Sequence, residues 1–164
     1  MSVAEFNQML VTHSDFLKPF AISLTKDMDT ARDLLQETLY RALANKDKYS
    51  VGTNIKAWLY TILRNTFIND YRRKVKQNQV LQQMPANLMP ETGISLFTAD
   101  GNMELKEAWK LIRQLPDIFR IPFILYFEGY KYHEIADMLN EPLGTIKSRI
   151  HFARKLLKAQ IERN

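Results

Sequence analysis

The 164-residue chain is 46% hydrophobic and 11% aromatic, which excludes a disordered tail and predicts a folded protein. It has no cysteine, so disulfides and cysteine-based zinc sites are excluded, and no stretch approaches the roughly 18 apolar residues that a membrane helix needs. The formal charge of +5 is concentrated: residues 56–76 hold 6 basic against 1 acidic residue, and residues 144–163 again hold 6 against 1. Two separated basic helices suggest two contacts on one polyanion. The N-terminus, MSVAEFNQML, lacks a basic region followed by an apolar run, so no leader and no membrane association are expected, and the cytoplasm is the expected location.

Helical periodicity dominates and alternating strand patterns are missing, so an all-α fold is predicted. A first helix is expected over Val3 to Lys26, bent near Pro19. Asp29 is the expected N-cap of a second helix with Leu34, Leu35, Leu39, Ala42 and Leu43 on its apolar face, ending before Lys46. A polar loop, Asn45 to Asn54, leads into a third helix from Ile55 to about Lys76.

Residues 77–101 hold two Pro, two Gly and no basic residue, and read as a linker, although Leu88, Ile94, Leu96 and Phe97 are apolar enough to dock. Beyond it come helices over Met103 to Gln114, closed by Pro116, and Asp117 to about Glu128, closed by Gly129 and expected to be largely buried. Helices over Tyr132 to Leu139 and Thr145 to about Glu162 flank the short segment Asn140 to Gly144. The prediction is two small helical domains, 1–76 and 102–164, joined by a linker, 77–101.

Helix, tight turn, basic helix is the outline of a helix-turn-helix, whose second helix enters the major groove. In the last helix Ile146, Ile150, Ala153 and Leu157 share one face and point inward, leaving Lys147, Ser148, His151, Phe152, Lys155 and Lys158 outward. That face combines cations for phosphates and guanine, a hydroxyl, and an apolar ring suited to a thymine methyl or a flat base edge. Backbone N–H groups at the helix start also favour a phosphate.

The runs Tyr132-His133-Glu134-Ile135-Ala136-Asp137-Met138-Leu139 and Pro142-Leu143-Gly144-Thr145-Ile146-Lys147-Ser148-Arg149-Ile150-His151 resemble region 4 of extracytoplasmic-function (ECF) sigma factors, in the sigma-70 family. The resemblance implies minus-35 DNA contacts from Thr145, Lys147, Ser148, Arg149, His151, Phe152, Arg154 and Lys155, with Arg149 and Arg154 on the backbone or bracing the helix. Many relatives carry a basic residue where this chain has Phe152, so their minus-35 preference does not transfer.

The first domain separates this reading from an ordinary helix-turn-helix regulator, the alternative function. Ala31-Arg32-Asp33-Leu34-Leu35-Gln36-Glu37-Thr38-Leu39 is similar to sigma region 2.2, and Ala57-Trp58-Leu59-Tyr60-Thr61-Ile62-Leu63-Arg64-Asn65 with Tyr71-Arg72-Arg73-Lys74 is similar to regions 2.3 and 2.4. Asp33, Glu37 and Arg41 form a polar ridge at i, i+4 and i+8. By the resemblance, Asp33, Gln36 and Glu37 contact the clamp helices of the largest subunit of core RNA polymerase.

Trp58, Asn65, Asn69, Arg72 and Lys76 project onto a strip about 60° wide on the third helix. Amides read an unpaired base, a ring stacks on it and cations hold the strand. The resemblance assigns these residues and Arg73 to minus-10 recognition and melting, and makes the loop Lys48 to Asn54 the pocket for a flipped base. Core polymerase and promoter DNA are the implied partners, and an anti-sigma factor is a further candidate. No catalytic residue, metal site or cofactor is expected: the only histidines, His13, His133 and His151, are far apart in sequence, and no Gly-rich phosphate loop or HExxH pattern occurs.

Overall fold

The computed structural model describes residues 1–77 and 103–163, and the chain divides into two compact units, Met1–Arg73 and Lys74–Asn164. The expected linker, with Leu88, Ile94, Leu96 and Phe97, lies outside the described residues except for Gln77. Among the described residues the regular structure is helical, with no strand.

The first unit is built from α1 (Val3–Thr25), α2 (Met28–Ala44), a 3-10 turn (Lys46–Lys48) and α3 (Ile55–Lys76), whose last turn passes the unit boundary. A capping box opens α1: the Glu5 N–H donates to Ser2 Oγ at 3.1 Å and the Ser2 N–H to Glu5 Oε2 at 2.6 Å. The helix runs through Pro19 and ends at Lys26 in the left-handed region, with the Lys26 N–H on the Ile22 carbonyl.

The cap of α2 is Asp27, two residues before the expected Asp29. Asp27 Oδ2 accepts from the Thr30 N–H at 3.0 Å and from the Thr30 hydroxyl at 2.6 Å, which leaves Asp29 in the first turn, where its charge suits the helix dipole. Leu34 and Ala42 are buried as expected, but Leu43 is exposed. Ala31 and Thr38 take its place inside, and the Thr38 hydroxyl is satisfied by the Leu34 carbonyl at 2.7 Å. Phe6 and Leu17 of α1 and Leu59 and Leu63 of α3 are fully buried and form the centre of this core.

The second unit contains α4 (Met103–Gln114), α5 (Asp117–Glu128), α6 (Tyr132–Leu139) and α7 (Leu143–Arg163). Leu125, Ile135, Ile146, Ile150 and Ala153 are almost completely buried where α5, α6 and α7 meet. The expectation that α5 is largely buried is corrected: Ile118 and Phe127 are exposed, because α6 and α7 cover only one side of it. Phe127 instead meets Trp109 edge-on at 6.3 Å and stacks near Phe123 at 6.5 Å. Gly129 closes α5 with φ at 115°, a conformation that disfavours any side chain. Asn140 closes α6 at φ 52°, and the Glu141 N–H reaches back to the Ala136 carbonyl at 3.0 Å. That closure uses three residues, Asn140 to Pro142, so α7 begins at Leu143, two residues earlier than expected.

Candidate nucleic-acid interface

In the second unit, α7 buries Ile146, Ile150 and Ala153, as its spacing predicts; Leu157 is only half-buried near the end of the packed stretch. The remaining faces fall into three strips. The central strip presents Ser148, His151 and Lys155 to solvent.

One flank is a cation and aromatic ladder. Tyr126 of α5 and Tyr132 of α6 stack in parallel, with centroids 4.7 Å apart and 4° between planes. The Arg154 guanidinium lies 5.1 Å over Tyr126, and the Lys147 ammonium lies 5.8 Å from the Tyr132 ring. Hydrogen bonds from Tyr132 and Arg154 hold the Tyr126 hydroxyl below the ordinary tyrosine range, while the bond to Tyr126 and then burial push Tyr132 up. Lys147 and Arg154 are thus each placed beside a ring from a neighbouring helix.

The other flank is apolar. Phe152 is 51% exposed, but one side of its ring lies 6.2 Å from Phe119 of α5. Phe119, Gly144, Thr145, Ser148, Arg149 and Phe152 line an open depression of about 440 Å³. Arg149 Nη1 pairs with Glu141 Oε1 at 3.4 Å, tying the helix to the turn before it. Neither Phe119 nor Tyr126 is visible in the α7 pattern, because both come from α5.

In the first unit, α3 is capped by Asn54, whose Oδ1 accepts from the Ala57 N–H at 3.2 Å. Asn65, Asn69 and Lys76 are exposed, and Arg72 is half-buried with Nη1 3.5 Å from Asn69 Oδ1. Arg73 is ion-paired with Asp70, so part of its charge is already met. Trp58 is half-buried: it lies 5.2 Å from Tyr49 and 6.1 Å edge-on from Phe6. The ring therefore anchors the preceding loop as well as bordering the strip. That loop turns at Gly52, with φ at 91°, and is held by the Tyr49 hydroxyl on the Thr53 carbonyl at 3.0 Å.

On α2, Asp33, Gln36 and Glu37 are exposed, and Arg41 Nε donates to Glu37 Oε1 at 2.7 Å. Tyr40, 68% exposed and not singled out in the sequence, and Leu43, expected on the apolar face, lie on the same outward side. Among the described residues no cluster of three or more His, Asp or Glu side chains is placed to hold a metal, and no helix is long and apolar enough to cross a membrane.

Family comparisons match both units. Sigma-70 region 2 matches residues 9–77, and sigma-70 region 4 matches residues 105–157. The ECF RNA polymerase sigma factor EcfG of Rhodopseudomonas palustris (strain TIE-1) is 39% identical over 144 residues, covering 87% of this chain and 77% of that protein. The ECF RNA polymerase sigma factor SigW of Bacillus subtilis (strain 168) is 30% identical over 166 residues, covering 95% of this chain and 88% of its own. Among solved structures, the sigma factor RpoE in complex with the anti-sigma factor NepR from Bartonella quintana is 32% identical, covers 96% of this chain and 97% of that chain, and has a TM-score of 0.43.

Proposed function

The chain belongs to the ECF sigma factors of the sigma-70 family, which bind core RNA polymerase and recognise promoters without themselves being enzymes, and from that premise we propose how its residues divide the work. The first domain, 1–76, docks on polymerase and captures opened minus-10 DNA; the second, 102–164, reads the minus-35 duplex. Residues 77–101 connect them.

In this reading Asp33, Gln36 and Glu37 meet the clamp helices of the largest subunit, with Tyr40 and Leu43 adding apolar contact beside the charges. Asn65 and Asn69 bond to the edges of an unpaired base, Trp58 borders it, and Arg72, Arg73 and Lys76 hold the strand. Capturing an extruded base offsets part of the cost of unstacking it, so opening needs no hydrolysis by this chain. Lys147, Ser148, His151, Phe152 and Lys155 face the major groove, while Thr145, Arg149 and Arg154 fix the helix on the backbone. A protein working on polymerase and chromosomal DNA acts in the cytoplasm.

The observation that carries the reading is the exposed amide and cation strip on α3, in the same chain as the helix-turn-helix. A stand-alone regulator needs only the second of these. DNA binding with and without core polymerase separates the two functions. Tight, sequence-specific binding is expected only when the polymerase is present; equally tight specific binding by the chain alone would favour the stand-alone regulator.

A further inference from the structure

Phe119 and Phe152 are the wholly apolar rings beside a surface whose other rings, Tyr126, Tyr132 and His151, carry polar atoms. Phe152 leaves half its surface in water, and its ring lies near Phe119, the His151 ring and the Lys155 ammonium. We propose that the depression between α5 and α7 is a thymine-methyl slot, which makes Phe152, supported by Phe119, the residue that selects thymine at one position of the minus-35 element. The proposal rests on the reading of α7 as the minus-35 helix.

The chemistry of the lining decides the occupant. It is lined by two aromatic rings, Gly144, the hydroxyl residues Thr145 and Ser148, and Arg149. At the major-groove edge, thymine presents an O4 acceptor and the C5-methyl, the only apolar group any of the four base pairs offers there. The Ser148 hydroxyl can donate to the acceptor while the rings take the methyl out of water. Cytosine would turn its N4 amino donor toward rings that cannot accept it well, and a purine would bring polar atoms with no apolar group.

With Phe119 beside it, the Phe152 ring has fewer positions to lose on binding than a ring standing alone. The Arg149 and Glu141 pair, at 3.4 Å, ties this side of α7 to the turn before it. The neighbouring central strip supplies the positive charge, from Lys155, that brings a polyanion to the same surface.

Removing one methyl from a buried contact corresponds to about a three- to five-fold loss of affinity. The test uses holoenzyme reconstituted from the full chain and core polymerase, with duplexes randomised over the upstream element. Selection is expected to enrich thymine at one position at least. Replacing that thymidine by deoxyuridine, which deletes only the methyl, is expected to weaken wild-type binding three- to five-fold and to leave Phe152→Ala binding unchanged within error.

Because the decisive comparison alters the DNA, it does not depend on whether a variant folds. A selected motif in which deoxyuridine is tolerated everywhere overturns the slot alone. So does a Phe152→Ala holoenzyme that still discriminates the methyl. A holoenzyme that selects no upstream sequence removes the minus-35 assignment of α7, and the slot with it.

Discussion

Replacing Asn65 by alanine is expected to separate stability from function. Asn65 is exposed on α3, one turn before Asn69, and the underlying Leu63 and Thr66 provide the packing. Alanine is the better helix former by roughly half a kcal/mol, so the melting temperature should hold or rise slightly. The lost amide removes one or two hydrogen bonds to an unpaired base, each about 0.5–1.5 kcal/mol, which corresponds to a roughly ten-fold smaller open fraction. Asn69 should not compensate, because it lies one helical turn away and makes its own contact in the proposed reading. Promoter opening followed by the fluorescence of an unpaired adenine analogue, with holoenzyme formation measured in parallel, reads both effects. Normal opening by Asn65→Ala, or a parallel loss of polymerase binding, would refute this use of the strip.

Four further outcomes follow from the same geometry. Ile150→Ala leaves a cavity at a side chain only 1% exposed and is expected to cost about 2–5 kcal/mol, melting α5 to α7 while hydrogen exchange in the first unit is unaltered. Glu37→Arg reverses a charge in the proposed polymerase contact, so holoenzyme formation should weaken at least about ten-fold while thermal stability changes little, since the pair with Arg41 is surface-exposed. Lys155→Ala should lower the salt dependence of holoenzyme binding to promoter DNA by about one unit of slope, with little change in sequence preference. Hydrogen bonds from the Thr30 side chain and then its backbone lower the Asp27 carboxyl below its usual value, so the cap stabilises the fold above the ordinary aspartate range and loses that effect as pH falls through the lowered value. Thermal melts from about pH 7 down to about pH 3 should therefore show the gap between the parent chain and Asp27→Ala closing at the acid end.

Positions set by helical spacing or local turn chemistry were legible in the sequence. The α7 core positions Ile146 and Ile150, the α3 strip and the closing role of Gly129 follow from spacing or turn chemistry alone. The misplaced cap is a local ambiguity: Asp27 and Asp29 are both good caps, and Thr30 resolves it by bonding to Asp27 twice. Leu43 shows the limit of a helical projection, since an apolar position is buried only where a neighbouring helix reaches it. Phe119 and Tyr126 mark the larger limit. They shape the surface of α7 from α5, through contacts between residues 28 and 33 positions apart, which no periodicity reports.

The most direct measurement is transcription in vitro with purified core polymerase, this chain and a library of genomic fragments. The expected result is a discrete set of start sites, each dependent on both proteins and each preceded by a common upstream motif. No polymerase-dependent start from any fragment would contradict the assignment of this chain as a promoter-reading sigma factor.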